Sequence, residues 1–335
     1  MNTSTQILRG RNLLLEVLTS LDSYAVLLSE LDWDMIAPLI EKEPLDVISI
    51  NSREESQLEI HADNLPACEY ILGIGGLNAL EAAKFAAFQR NIKLILLPLS
   101  LARSSYADPA IRVLNYDQEK IIGELEAEKL LIDFQLLEEI PPDIHAEGLA
   151  EIFSIQTACF DWEHARNQGQ SREHYSHKAI DDARAILSDI EMRVSDISMG
   201  SEKGLDALVD AQISLANICR DTDNARVKGG SEHIFKILLE EQLKQNFEAA
   251  GLLALSTLLM ARLQNNKAGE LLQMLKASGI FFQPSELGIQ APHLLSVLQD
   301  LRYFVQRRQG LVYTCLNDAY IDEEWVYEMI QDLEF

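Results

Sequence analysis

The chain has 335 residues, 47% of them hydrophobic, which is material for about two domains with full cores. Its formal net charge of −25, with a pI near 4.6, argues against nucleic acid and anionic membrane as partners, and no basic stripe offsets it. Cys68, Cys159, Cys219 and Cys315 are far apart with no C-x-x-C pair, the N-terminus is polar, and no apolar run of about 18 residues exists, so a cytoplasmic protein with reduced thiols is expected.

In chain order, Ser23–Ser29 is a continuous apolar run, as expected of a strand buried on both faces. An acidic helix is expected over Trp33–Glu41, and Asp46–Ile50 reads as the next strand. Tyr70–Leu72 then enters a glycine turn, Gly73-Ile74-Gly75-Gly76-Leu77-Asn78, which Ala79–Arg90 leaves as an Ala-rich helix; Lys93–Leu97 is a further strand. Strands separated by helices of this length imply β-α-β units and a parallel sheet, whose ligands sit at the carboxyl ends of the strands, where Gly73–Asn78 falls. Glycines let backbone approach a pyrophosphate, and a helix N-terminus offers unpaired N–H groups and partial positive charge. The spacing is G-x-G-G, not the G-x-G-x-x-G of a Rossmann turn, and a glycine turn is also an ordinary tight connection. Both readings stay open here.

After Pro141-Pro142 the pattern changes. Helix-period apolar spacing covers His145–Arg166, Arg172–Ser195, Gly204–Cys219, Ser231–Lys244, Phe247–Gln264, Lys267–Ser278, Ala291–Gln306 and Asp322–Asp332, with no strand signal. The expected organisation is an α/β, Rossmann-like parallel-sheet domain over 1–141 and an all-α domain over 142–335. Among polar features, Asp161-Trp162 reads as a packing and capping pair. His164, His174 and His177 lie in a polar stretch and read as a solvated helix end rather than a metal site.

The order of these pieces resembles the superfamily of glycerol dehydrogenase, glycerol-1-phosphate dehydrogenase and 3-dehydroquinate synthase, with glycerol-1-phosphate dehydrogenase the nearest branch. Ile71–Phe88 is similar to that family's G-x-G-G-G-x-x-x-D-x-A-K-x-x-A. Phe160-Asp161-Trp162-Glu163-His164-Ala165 is similar to its D-W-x-x-A, Ala225–His233 to the end of its S-R-P-A-S-G-S-E-H, and Arg307–Leu316 to its closing R-Y-T-x-L. The resemblance runs through almost the whole chain. It implies a dehydroquinate synthase-like fold, NAD or NADP on the glycine turn, and a divalent metal, usually zinc, on one aspartate and two histidines that polarises the substrate oxygen.

Carried over residue by residue, the cofactor set is Gly73, Gly75, Gly76, Leu77, Asn78 and Lys84, and the metal set is Glu151, His233 and Asn246. Five departures, in three places, matter. Glu151 stands for the metal aspartate, and Asn246 for the second histidine, an amide that is a poor zinc ligand. Leu77 stands for the third glycine of the cradle and puts bulk where phosphate approaches. In the following loop, Leu99 and Ser104 replace a threonine and an aspartate that serve cofactor and substrate. Zinc is therefore expected to be weakly bound or absent. The resemblance supports a divergent polyol dehydrogenase acting on a small polyol or its phosphate, with weak or redirected chemistry. A non-catalytic homologue that binds a nucleotide or a protein is the alternative, and dehydroquinate synthase-like chemistry is a third. No catalytic residue is assigned, and a homo-oligomer remains open.

Overall fold

A computed structural model describes residues 5–116 and 118–335. The chain divides into two compact units, Met1–Ile144 and His145–Phe335.

The first unit is built on strands β1 (Gln6–Gly10), β2 (Tyr24–Leu28), β3 (Asp46–Ser49), β4 (Tyr70–Gly75), β5 (Lys93–Pro98) and β8 (Lys129–Asp133). They form one sheet in the order β1-β8-β5-β4-β2-β3, every pair parallel. Strands β2 and β4 lie inside the sheet, each between two neighbours, and are buried along their whole length, which is why their sequences are unbroken apolar runs instead of alternating ones. Strands β6 (Ala110–Asn115) and β7 (Gln118–Glu124) form a separate antiparallel hairpin. The acidic helix after β2 runs Glu30–Ile36, earlier than expected, and passes into a 3-10 turn at Ala37–Leu39. Pro38 accounts for the stop, because it lacks an N–H and disfavours α geometry at the residue before it.

In the second unit every described element is helical. Its principal helices are Leu149–Asn167, His177–Glu191, Glu202–Thr222, Ser231–Leu243, Ala249–Leu263, Ala268–Ser278 and Ala291–Arg307. The Ala249–Leu263 helix is apolar almost all round and buried from Ala250 to Ala261, so it is the axis of this unit's core. The long run expected from His145 is two helices, Pro142–Ala146 and Leu149–Asn167, broken at Gly148. The run expected from Arg172 starts only at His177, where the Ser176 hydroxyl accepts from the Ala179 N–H at 3.2 Å. No described helix is long and apolar enough to cross a membrane.

Candidate functional site

The glycine turn sits at the carboxyl end of β4. The chain leaves β2 towards β3 on one side and leaves β4 towards β5 on the other, so the carboxyl ends of β2 and β4 flank a topological switch point, the usual ligand crevice of such a sheet. The three glycines have separate tasks. At Gly73 a Cβ would fall 2.5 Å from Ala83 Cβ, so its bareness lets the following helix pack onto the strand. Gly75 has φ +126°, a conformation that L side chains rarely adopt. A Cβ on Gly76 would meet nothing within 4 Å, so this residue faces open space.

Gly76 is also the N-cap of the Leu77–Arg90 helix, and no side chain caps it. The first backbone N–H to bond back along the helix is that of Leu80, to the Gly76 carbonyl at 3.1 Å. The N–H groups of Leu77, Asn78 and Ala79 precede it and have no acceptor within the helix. Leu77 is half-buried and Asn78 is exposed, its amide 3.5 Å from the Asn51 carbonyl. Open backbone donors at a positive helix end can take an anionic oxygen.

One acid at this turn escapes a sequence reading. Asp32, on the short helix after β2, places Oδ2 within 2.5 Å of where a Gly75 Cβ would be. Burial pushes its carboxyl above the usual carboxylate range, against a backbone hydrogen bond from Ser29 that pulls it down. The segment carries Glu30, Asp32 and Asp34 at alternate positions, and nothing in their spacing says which one reaches the turn.

Lys84, expected among the cofactor-binding residues, is placed elsewhere. It is 1% exposed, and its ammonium donates to Glu81 Oε1 (3.1 Å) and to the carbonyls of Ser105 (2.5 Å), Asp108 (2.8 Å) and Ala110 (3.2 Å). Glu81 Oε2 in turn accepts from the Arg112 N–H at 2.8 Å. Burial pushes Glu81 up and Lys84 down, and their mutual attraction opposes both shifts. With its ammonium engaged in this way, Lys84 clamps the segment after β5 to the helix and does not reach the glycine turn. Of the two altered loop positions, Leu99 is buried in the core and Ser104 begins a 3-10 turn.

The second unit starts its Ser231–Leu243 helix with the G-S-E-H segment. Here the helix N-terminus is filled by the protein's own carboxylates. Asp161, fully buried, accepts from the Ser231 N–H (2.7 Å) and the Cys315 N–H (2.8 Å). Burial, reinforced by the neighbouring Glu232 charge, pushes its carboxyl up. Glu232 accepts from the Gly230 N–H (2.6 Å) and from the Thr157 hydroxyl (2.8 Å). Gly230 suits this crowded site, since a Cβ there would lie 2.6 Å from Asp161 Oδ2, 3.0 Å from Ala158 Cα and 3.0 Å from Glu232 Oε2. Glu232 Oε1 also lies 3.0 Å from His233 Nδ1, which fixes the imidazole by that nitrogen.

Glu151 and Asn246 are the residues expected to share a metal with His233. Glu151, in the first turn of the Leu149–Asn167 helix, holds the Lys228 ammonium at 2.6 Å. Asn246 lies exposed in the stretch between two helices. Among the described residues, no three His, Cys, Asp or Glu side chains gather as a metal-holding group. His164 and His177 point to other tasks: His164 pairs with Asp318 at 2.8 Å, and His177 lies 3.3 Å from the Tyr175 hydroxyl.

No protein-family model matches the chain. It is 23% identical over 264 residues to the NAD(P)+ glycerol-1-phosphate dehydrogenase of Staphylothermus marinus, covering 78% of this chain and 72% of that one. It is 23% identical over 285 residues to the enzyme of the same name from Methanobrevibacter smithii, covering 85% and 80%. In fold it is similar to a probable glycerol dehydrogenase from Sinorhizobium meliloti, with a TM-score of 0.69, 13% identity, and coverage of 98% and 96%. The glycine turn, the G-S-E-H helix start and these similarities along most of the chain agree: it is a divergent member of the superfamily that holds the glycerol-1-phosphate and glycerol dehydrogenases.

Proposed function

We propose that the chain binds a nicotinamide dinucleotide, NAD or NADP, at Gly76, Leu77 and Asn78, and that its oxidation of glycerol and glycerol 1-phosphate is weak or turned to another small polyol. The observation that carries the binding half is the uncapped start of the Leu77–Arg90 helix, open at Gly76. Its backbone donors suit a pyrophosphate, and the helix dipole adds to the attraction. When bound, the nicotinamide would give or accept the hydride. Leu77, at the first helical position, adds side-chain bulk beside the turn and weakens the binding.

The second half rests on the metal position. Glu151 is engaged by Lys228, and Asn246 offers an amide in place of an imidazole. Without a Lewis acid on the substrate oxygen, several kcal/mol of transition-state stabilisation is missing. The same pairing favours the second reading, a homologue that keeps the fold for binding alone.

Calorimetric titration of NAD(H) and NADP(H) into the wild type and Leu77→Gly tests the first half: the substitution should tighten binding, and no change or a loss would remove Leu77 as an obstacle. Steady-state assays on glycerol and glycerol 1-phosphate, with and without zinc, test the second. A turnover on the order of 1 s⁻¹ or faster on either substrate overturns it. Binding of the dinucleotide without turnover on any polyol selects the binding homologue.

A further inference from the structure

The contact between Lys228 and Glu151 is more than a surface ion pair. The two side chains are 22% and 25% exposed, and Lys228 Nζ lies 2.6 Å from Glu151 Oε1, a charge-assisted hydrogen bond. Their backbones are tied as well. The Ser154 hydroxyl donates to the Glu151 carbonyl at 2.7 Å and lies 3.3 Å from the Lys228 carbonyl. Lys228 immediately precedes Gly229-Gly230, and the close approach of Gly230 to Asp161 and Glu232 fixes the start of the helix bearing His233. The cation at Glu151 is thus delivered by the same segment that delivers the histidine.

We propose that Lys228 is a built-in cation that takes the place of a divalent metal at Glu151, so that this position is an ammonium site from which zinc is barred. The inference rests on the reading of Glu151, His233 and Asn246 as an altered metal set. A divalent ion on Glu151 would have to share the carboxylate with an ammonium at hydrogen-bonding distance, and like charges at such range repel strongly in a partly desolvated site. The missing histidine at Asn246 is therefore a second lesion on top of the first. Restoring the imidazole alone does not restore the metal.

The test is a cycle of zinc affinities, measured on the full chain by competition with a chromophoric chelator. The wild type, Asn246→His, Lys228→Met and the double variant are compared, with circular dichroism as the check on folding. The wild type and Asn246→His are expected to bind zinc poorly, and the double variant to bind one zinc at least about tenfold more tightly than Asn246→His. Glu151→Gln in the double background should abolish the gain. If Lys228→Met does not fold, Lys228→Gln keeps a hydrogen-bond donor for Glu151 without the charge and should give the same result. Equal, tight binding by Asn246→His and the double variant overturns the lysine's role while leaving the residue set intact. Failure of both to bind zinc overturns the lysine's role together with the residue set beneath it.

Discussion

The helices that begin at Gly76 and Gly230 use that beginning in opposite ways. At Gly76 the helix end has no side-chain cap, and the space beside the glycine is open. At Gly230 the equivalent end is occupied by Asp161 and Glu232, packed so closely that a single methyl group would collide with both carboxylates. A helix N-terminus is an anion site in either case. The difference is whether the anion comes from the protein or from outside. A glycine before a helix therefore signals a ligand site only when the chain leaves the site empty, which the sequence alone does not display.

Four substitutions would break or sharpen this contrast. The largest effect is expected at Lys84→Met, which leaves the Glu81 carboxylate buried without its ammonium beneath the open helix. About 3–5 kcal/mol of stability should be lost in urea unfolding. A loss below about 1 kcal/mol would mean that the open turn does not depend on this clamp. Next is Gly230→Ala, expected to cost about 2–3 kcal/mol as the new Cβ drives apart two hydrogen-bonded carboxylates. A neutral result there would mean that the filled end yields easily and the contrast is overstated. Asp32→Asn removes a charge beside Gly75 and should tighten dinucleotide binding by about three- to tenfold in calorimetry. Weaker binding would make Asp32 an acceptor for the ligand rather than an obstacle to it. The smallest effect is expected of Gly76→Ala, which should shift stability by no more than about 0.5 kcal/mol, because its Cβ enters empty space. The same Cβ stands where a phosphate would approach and should lower dinucleotide affinity. Instability without an affinity change would show that Gly76 serves the fold.

Strands β2, β4 and β5 were legible because burial on both faces writes itself as unbroken apolar runs, as in Tyr24–Leu28 and Lys93–Pro98, whereas the inner strand β8 was missed because its apolar run is only Leu130-Leu131-Ile132 between Lys129 and Asp133. Strand β1 was not legible either, since it lies at the sheet edge, mostly exposed, and its sequence Gln6-Ile7-Leu8-Arg9-Gly10 has no such run. The hairpin was missed for a similar reason: β7 is largely exposed and mixes charged with apolar residues. At the candidate site, the glycines and the capping role of Asp161 could be read from local motifs. The engagement of Lys84 could not, because its partners at Ser105, Asp108 and Ala110 are backbone carbonyls, which no side-chain pattern advertises. Nor could the pairing of Glu151 with Lys228, which lie 77 residues apart in the chain.

Asp161 reaches the Ser231 amide across 70 residues of chain and the Cys315 amide across 154. One carboxylate thus knots three segments that come together only when the helical unit is nearly complete. Contacts of such sequence separation form late and are lost together. The Ser231 and Cys315 amides should therefore share one slow hydrogen-exchange rate, that of whole-unit opening, while amides at the exposed helix ends exchange by local fraying. Helices that look like independent pieces along the sequence would then come apart as a single cooperative body.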